Sequence, residues 1–170
     1  MENKCLYCYK EINSTELKTP AGIEGYHPKC SKIFYGNSTP PVLEFTEDQI
    51  LELAEQVIKS QRTVTGVQPK LSLGLSNEID APERFTIVGL WGEYILKPQT
   101  NLYSNLPEIE DLTMHLAEIS KIKTVQHSLI KLKSGQLAYI TKRIDRNNGE
   151  KSHMEDMCQL TERLTEQKYK

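Results

Sequence analysis

The chain has 170 residues, 38% of them hydrophobic and 26% charged, with a formal net charge of −2. That is the composition of an ordinary folded protein of one domain, or of one domain with a small appendage, and it argues against disorder and against a protein built mainly to coat nucleic acid. The opening MENKCLYCYK has no apolar run of the signal-peptide kind and no stretch approaches a membrane span, so a cytoplasmic location is expected.

In chain order, residues 1–41 are rich in turn formers and end in Gly36-Asn37-Ser38-Thr39-Pro40-Pro41, which continues neither a helix nor a central strand. Three of the four cysteines fall in the first thirty residues. In a reducing compartment such clustering points to metal ligation rather than to disulfides. Cys5-x-x-Cys8 and His27-x-x-Cys30 supply four soft or borderline ligands in two close pairs, the pattern of a closed tetrahedral zinc site. Four protein ligands leave no open position for water, so the expected zinc is structural, and it must hold together a segment with little apolar surface of its own. Cys158, far along the chain, is expected to be an isolated core thiol.

Thr46 and Gln49 have capping-box spacing, and Ile50, Ala54, Val57 and Ile58 share one helical face, which predicts a helix over residues 47–60. From Thr63 the period changes. VQPKLSLGL, RFTIVGLW, EYILKP, HSLIKLK and QLAYITKRI read as five strands separated by turn formers. One helix interrupts them: NLPEIEDLTMHLAEIS has Pro107 in its first turn, acids near its start, and Ile109, Leu112, Leu116 and Ile119 on one stripe. Lys133-Ser134-Gly135-Gln136 is a hairpin turn. A last helix is expected from Ser152, capped through Glu155, and running to the final residue, Lys170, with no stop signal. The basic stretch from Lys121 to Lys151 reads as the solvated face of a hairpin, Trp91 as a core or turn anchor, and His115 and His127 as structural.

The order strand, strand, strand, helix, strand, strand matters for function. In kinases a glycine-containing turn between the first two strands covers the nucleotide phosphates, a lysine on the third strand pairs with phosphate oxygens, and a helix glutamate orients that lysine. Here Thr65-Gly66-Val67-Gln68 supplies the turn, Lys97 ends the third strand, and Glu108 or Glu110 heads the following helix.

The runs TVTGVQPKLSL, YILKP, LPEIEDLTMHLA, ITKRIDR and HMEDMCQL, in that order, resemble the successive signatures of the HipA-like serine/threonine kinases, toxin components of bacterial toxin–antitoxin pairs. The resemblance implies an α+β fold: a kinase-like N-lobe, a five-stranded antiparallel sheet with one helix, over residues 42–150. Ahead of it lies the zinc module, residues 1–41, whose YHPKC resembles LIM-type, zinc-ribbon and treble-clef modules. Residues 151–170 would begin the following helical lobe.

The resemblance further implies ATP as ligand, with Thr65, Gly66, Val67, Gln68, Pro69 and Lys70 over its phosphates and Lys97 oriented by Glu110. Lys142, Arg143 and Ile144 would edge the adenine, where the family commonly has phenylalanine in place of Ile144. Members can autophosphorylate a serine just before the loop glycine; the matching position is Thr63, with Thr65 a second candidate. The catalytic base, its downstream asparagine and the magnesium-binding aspartate find no match, and the base is expected beyond Lys170. The chain is therefore expected to be an N-terminal portion or shortened version that contains no catalytic residue and does not transfer phosphate alone. Its expected partners are ATP with magnesium in the complete kinase, a protein substrate and an antitoxin or regulatory protein, with neither membrane nor direct nucleic-acid binding. The alternative is a non-catalytic, zinc-containing protein-binding module that acts as partner or regulator of a kinase.

Overall fold

The computed structural model describes residues 3–60, 70–76, 83–88, 92–147 and 150–163. In chain order these form a short 3-10 turn (Glu16–Lys18), α1 (Pro20–Ile23), α2 (Pro28–Tyr35), α3 (Glu47–Ser60), β1 (Leu71–Ser76), β2 (Arg84–Ile87), β3 (Tyr94–Lys97), α4 (Leu106–Ile119), β4 (His127–Lys131), β5 (Leu137–Lys142), β6 (Arg146–Asn147), β7 (Glu150–Lys151) and α5 (Met157–Leu160). The protein is α+β. Its main sheet has the order β2-β1-β3-β5-β4 with every neighbouring pair antiparallel, and β6 and β7 make a separate ribbon.

Alternation along the strands assigns the two faces of this sheet. Leu71, Leu73, Phe85, Tyr94, Leu96, Ala138, Ile140 and Ser128 fall on one face by register, and Lys97, Tyr139, Thr141, His127 and Leu129 on the other. The first face meets the N-terminal segment: Phe34 and Tyr35 of α2 stack edge-on with Tyr94 and Phe85, at ring separations of 4.7 to 6.1 Å within the group. Cys5, Leu6, Ile12, Tyr26, Phe34 and Tyr35 are thereby buried in one core with Leu71, Leu73, Leu96 and Ile140. The cysteine-bearing segment is thus joined to the sheet through shared apolar packing. Both edge strands are covered as well. Val42 bridges to β2, and the Leu6 carbonyl accepts from the Leu129 amide of β4 at 3.2 Å.

Phe34 is wholly buried at the centre of this contact. Phe34→Ala is expected to cost about 3–5 kcal/mol, the usual range for emptying a core aromatic site. Urea denaturation should show the loss in a single transition, because segment and sheet share the core.

The helix over 47–60 forms with its capping box, Thr46 N–H donating to Gln49 Oε1 at 2.9 Å and Gln49 N–H to Thr46 Oγ1 at 3.5 Å. Ile50 is buried as its face requires, and the side chains of Ala54, Val57 and Ile58 lie outside the described set. The turn at residues 133–136 closes the β4–β5 hairpin, with Gly135 at φ 90°.

Three expectations are corrected. The last described helix begins at Met157 rather than near Ser152, since the capping box is Asp156 with Gln159, both reciprocal bonds being made at 2.8 and 2.9 Å. It closes at Leu160, with Thr161 as its cap, instead of running unbroken towards Lys170; residues 164–170, Lys170 included, lie outside the described residues. Cys158 is only half-buried and its thiol donates to the Arg163 carbonyl, so it is no core thiol. The stripe of α4 also faces the unexpected way: Ile109, Leu112, Leu116 and Ile119 are 51 to 77% exposed, while Asp111 is wholly buried. An amphipathic helix ordinarily turns its apolar side to the core. Here ion pairs and hydrogen bonds to the second sheet face hold the polar side inward. No helix among the described residues is long and apolar enough to cross a membrane.

Candidate functional site

Lys97 is the last residue of β3 and lies opposite Tyr139 of β5. Its side chain rises from the sheet face on which α4 lies, and its ammonium donates to the Glu110 carboxylate in the second turn of that helix. The ammonium also stands 5.4 Å from the centroid of the Tyr139 ring. Both charged side chains are about one-quarter exposed, so the pair is oriented yet open to a ligand from solvent. Glu108 takes no part in it.

Lys142 of β5 lies with its ammonium 5.9 Å from the centroid of its cross-strand neighbour Tyr94. Arg143 is tied down twice. Its amide donates to the Glu93 carbonyl at 2.7 Å, and its guanidinium grips Asp145 in a fork, Nε to Oδ1 at 2.8 Å and Nη2 to Oδ2 at 2.6 Å. Ile144, between them, is 72% exposed. Lys70 is exposed just before β1. Thr63, Thr65, Gly66, Val67, Gln68 and Pro69 lie outside the described residues, as does Trp91. The catalytic base expected beyond Lys170 lies outside them too, the described chain reaching Arg163. At the foot of β3 Gly92 is packed so closely on the Leu73 carbonyl that an added Cβ would sit 2.4 Å from its oxygen, and its N–H donates to Ser72 Oγ.

The Arg143 guanidinium holds the Asp145 carboxyl below its ordinary value of 3.8, with Arg146 adding to the effect. A carboxyl depressed in the folded state stabilises at every pH above that ordinary value, and the contribution is lost as pH falls through the folded value. Asp145→Asn is therefore expected to lower stability at neutral pH by about 3 kcal/mol, because the buried carboxylate is the shared partner of two largely buried arginines, Arg143 and Arg146. It should also flatten the acid limb of stability below about pH 4, read by urea unfolding across the pH range.

Cys5, Cys8, His27 and Cys30 come together with one ligand atom of each lying within 4.8 Å of all the others. The chain brings them in from two turns: the Cys5–Cys8 turn closes with the Tyr9 amide on the Cys5 carbonyl, and His27 and Cys30 flank the start of α2, where Pro28 occupies the first helical position. His27 Nε2 donates to the Glu11 carbonyl at 3.1 Å, which leaves Nδ1 with a free lone pair aimed at the sulfurs, 3.5 Å from Cys8 Sγ and 3.7 Å from Cys30 Sγ. A tetrahedral ion with metal–sulfur bonds of about 2.3 Å and metal–nitrogen bonds of about 2.05 Å would require an S···N edge of about 3.6 Å. Burial and the neighbouring Cys5 and Cys8 sulfurs push the Cys30 thiol well up, a repulsion that a divalent cation among the sulfurs would reverse. The donor set, tautomer and spacing all fit such an ion.

A second cluster, Asp111, His115 and His127, also gathers its ligand atoms within 4.8 Å. It reads differently. His115 turns Nδ1 to the Asp111 carbonyl at 3.0 Å and Nε2 to the Tyr7 carbonyl at 3.1 Å, so each ring nitrogen faces a backbone oxygen rather than a shared metal position. The Asp111 carboxylate accepts from His127 Nδ1 at 2.7 Å and from the Tyr9 hydroxyl, and burial and that contact push the Tyr9 phenol up. This is a satisfied buried network. Sequence reading missed Asp111 and Tyr9 as members; the Asp111–His115 spacing of four on a helix was the available signal.

Sheet, helix and pair together define an α+β protein that presents a lysine on the third strand to a helix glutamate, with a Cys3His cluster packed behind the sheet. The chain belongs to the HipA-like C-terminal domain family, whose model matches residues 62–170. It is also 26% identical over 160 residues to a Haemophilus influenzae protein named "Putative kinase", an alignment that covers 91% of this chain and 44% of that protein. The chain thus spans less than half the length of this relative.

Proposed function

We propose that this chain is the ATP-binding N-terminal portion of a HipA-like serine/threonine protein kinase, with a structural zinc ion held by Cys5, Cys8, His27 and Cys30. The observation that carries the reading is the contact between Lys97 and Glu110. A lysine held by a helix carboxylate on the third strand is the arrangement that meets nucleotide phosphates in kinases. Glu110 keeps the long side chain in one direction, and the Tyr139 ring limits where the ammonium can go. Family membership and the name of the Haemophilus relative support the same reading.

On this reading residues 65–70 cover the phosphates, and Thr63 or Thr65 is the acceptor when the kinase phosphorylates itself. Phosphate there would repel those of ATP and displace the cover. Lys142, Arg143 and Ile144 edge the adenine. Because the Arg143 guanidinium is committed to Asp145, this linker meets the base chiefly through its backbone and the exposed Ile144. The catalytic base and the magnesium ligands belong to the part of the complete kinase beyond Lys170, and that kinase acts in the cytoplasm on a protein substrate as the toxin of a toxin–antitoxin pair. The test is titration of the chain with ATP: saturable binding that weakens in Lys97→Ala supports the reading, and binding indifferent to that change defeats it.

One observation favours a second reading, a non-catalytic partner or regulator of a kinase. The stripe Ile109, Leu112, Leu116 and Ile119 lies open to solvent, as a docking helix would leave it. A chain that binds no ATP but associates with another protein through that stripe would decide for it.

A further inference from the structure

The turn between the two N-terminal cysteine ligands touches the helix that carries Glu110. Tyr7, between Cys5 and Cys8, offers its carbonyl to His115 Nε2 at 3.1 Å. Tyr9, one residue beyond Cys8, donates its hydroxyl to the buried Asp111 carboxylate, and its ring stacks on His115 at 4.6 Å. Asp111 is the immediate neighbour of Glu110, and His115 lies one turn further along the same helix.

Helix α4 keeps its apolar stripe in solvent, with Pro107 and Asp111 as its buried residues and Leu106, Met114 and Ala117 half-buried. Polar contacts help to fix its rotation about its own axis: Glu110 with Lys97, Asp111 with His127 and Tyr9, His115 with Tyr7, and Glu118 with His127 at 3.4 Å. Two of these come from the cysteine turn. Tyr9 occupies that turn in a left-handed conformation, φ 58°, with its amide bonded to the Cys5 carbonyl at 2.9 Å. A side chain larger than glycine holds such a conformation only where its surroundings enforce it. An ion gripping Cys5 and Cys8 would do so.

We propose that metal loading at Cys5, Cys8, His27 and Cys30 sets the orientation of α4 through Tyr7 and Tyr9, and with it the hold of Glu110 on Lys97. Tyr9, Asp111 and His115 are then positioning residues of the nucleotide site. The consequence for nucleotide rests on the function proposed above, whereas the coupling of the metal turn to α4 does not. Zinc loss would release α4 and weaken ATP binding although none of the metal ligands touches ATP, which makes the module a metal-sensitive control of that site.

The test compares the full chain loaded with zinc, the same chain stripped by chelator, and zinc-loaded Tyr9→Phe, which keeps the ring on His115 and removes one hydroxyl. Hydrogen exchange of the α4 amides and ATP affinity are measured on each, with zinc content by elemental analysis. Faster exchange across residues 108–115 is expected in both altered forms, with ATP affinity about 10-fold weaker in Tyr9→Phe at unchanged zinc content, the low end for one hydrogen bond to a charged group. Should stripping unfold the chain, Tyr9→Phe decides alone. If zinc-loaded Tyr9→Phe keeps wild-type exchange in α4, or loses thermal stability with ATP affinity and local exchange unchanged, the proposal is overturned. If α4 exchange responds but no form binds ATP, the coupling stands and the nucleotide reading falls.

Discussion

Lys97→Ala is expected to weaken ATP binding about 30-fold. The figure follows from about 2 kcal/mol for a charge-assisted contact to phosphate, converted at 1.4 kcal/mol per decade. Stability should change little. The ammonium is one-quarter exposed, so its attraction to Glu110 is screened and contributes on the order of 1 kcal/mol or less to folding. Glu110→Gln should weaken ATP binding by a smaller factor, about 5-fold, since the amide still accepts a hydrogen bond but no longer fixes the ammonium by charge. In the double variant the two losses should not add, because the glutamate acts only through the lysine. In the complete kinase Lys97→Ala should abolish most phosphoryl transfer, and undiminished transfer would refute the assigned role.

Metal removal is expected to act on folding. Cys5 is wholly buried and Cys30 nearly so, within the core shared by the N-terminal segment and the sheet. A structural zinc site contributes about 10–16 kcal/mol in small modules, comparable with the whole net stability of a domain, about 5–15 kcal/mol. Chelation, or Cys8→Ser, should therefore abolish cooperative unfolding of the segment holding residues 3–36 and take a large part of the stability of the sheet with it. Near-ultraviolet circular dichroism should follow the loss, since Tyr26, Phe34 and Tyr35 sit at that junction. Elemental analysis should find one zinc per chain. A purified chain free of zinc, with the segment fully ordered, would contradict the metal assignment.

Much of this architecture was legible because the signals are local. The period of two in the five strands, the capping box at Thr46 and Gln49, and Pro107 in a first turn each act within a few residues, and each element forms where those signals lie. The two ligand pairs were equally legible, since a C-x-x-C turn needs no knowledge of the rest of the chain. The order of elements placed Lys97 with Glu108 or Glu110, the family resemblance chose Glu110, and the structure brings the side chains of Lys97 and Glu110 together.

What escaped is what depends on tertiary choice. The stripe of α4 suggested which side of the helix would be apolar, but a buried carboxylate with two histidines and a tyrosine outweighed it and turned the polar side inward. No local pattern announces that Tyr9 will meet Asp111, because 102 residues separate them. The resemblance placed Arg143 at the adenine edge but gave no sign that Asp145, two residues on, takes its guanidinium. The start of the last helix was misplaced because Ser152/Glu155 and Asp156/Gln159 share the same cap spacing, and only the second pair makes the bonds.

The central claim is that Lys97 lies against the phosphates of bound ATP. An acyl-phosphate derivative of ATP tests it most directly: a lysine amine beside the phosphates attacks the acyl carbonyl, forms an amide and releases the nucleotide. Mass spectrometry of the digested protein should find the acyl group on Lys97, with the label suppressed by excess ATP and unaffected by excess AMP. Labelling spread over the exposed lysines and untouched by ATP would contradict the claim.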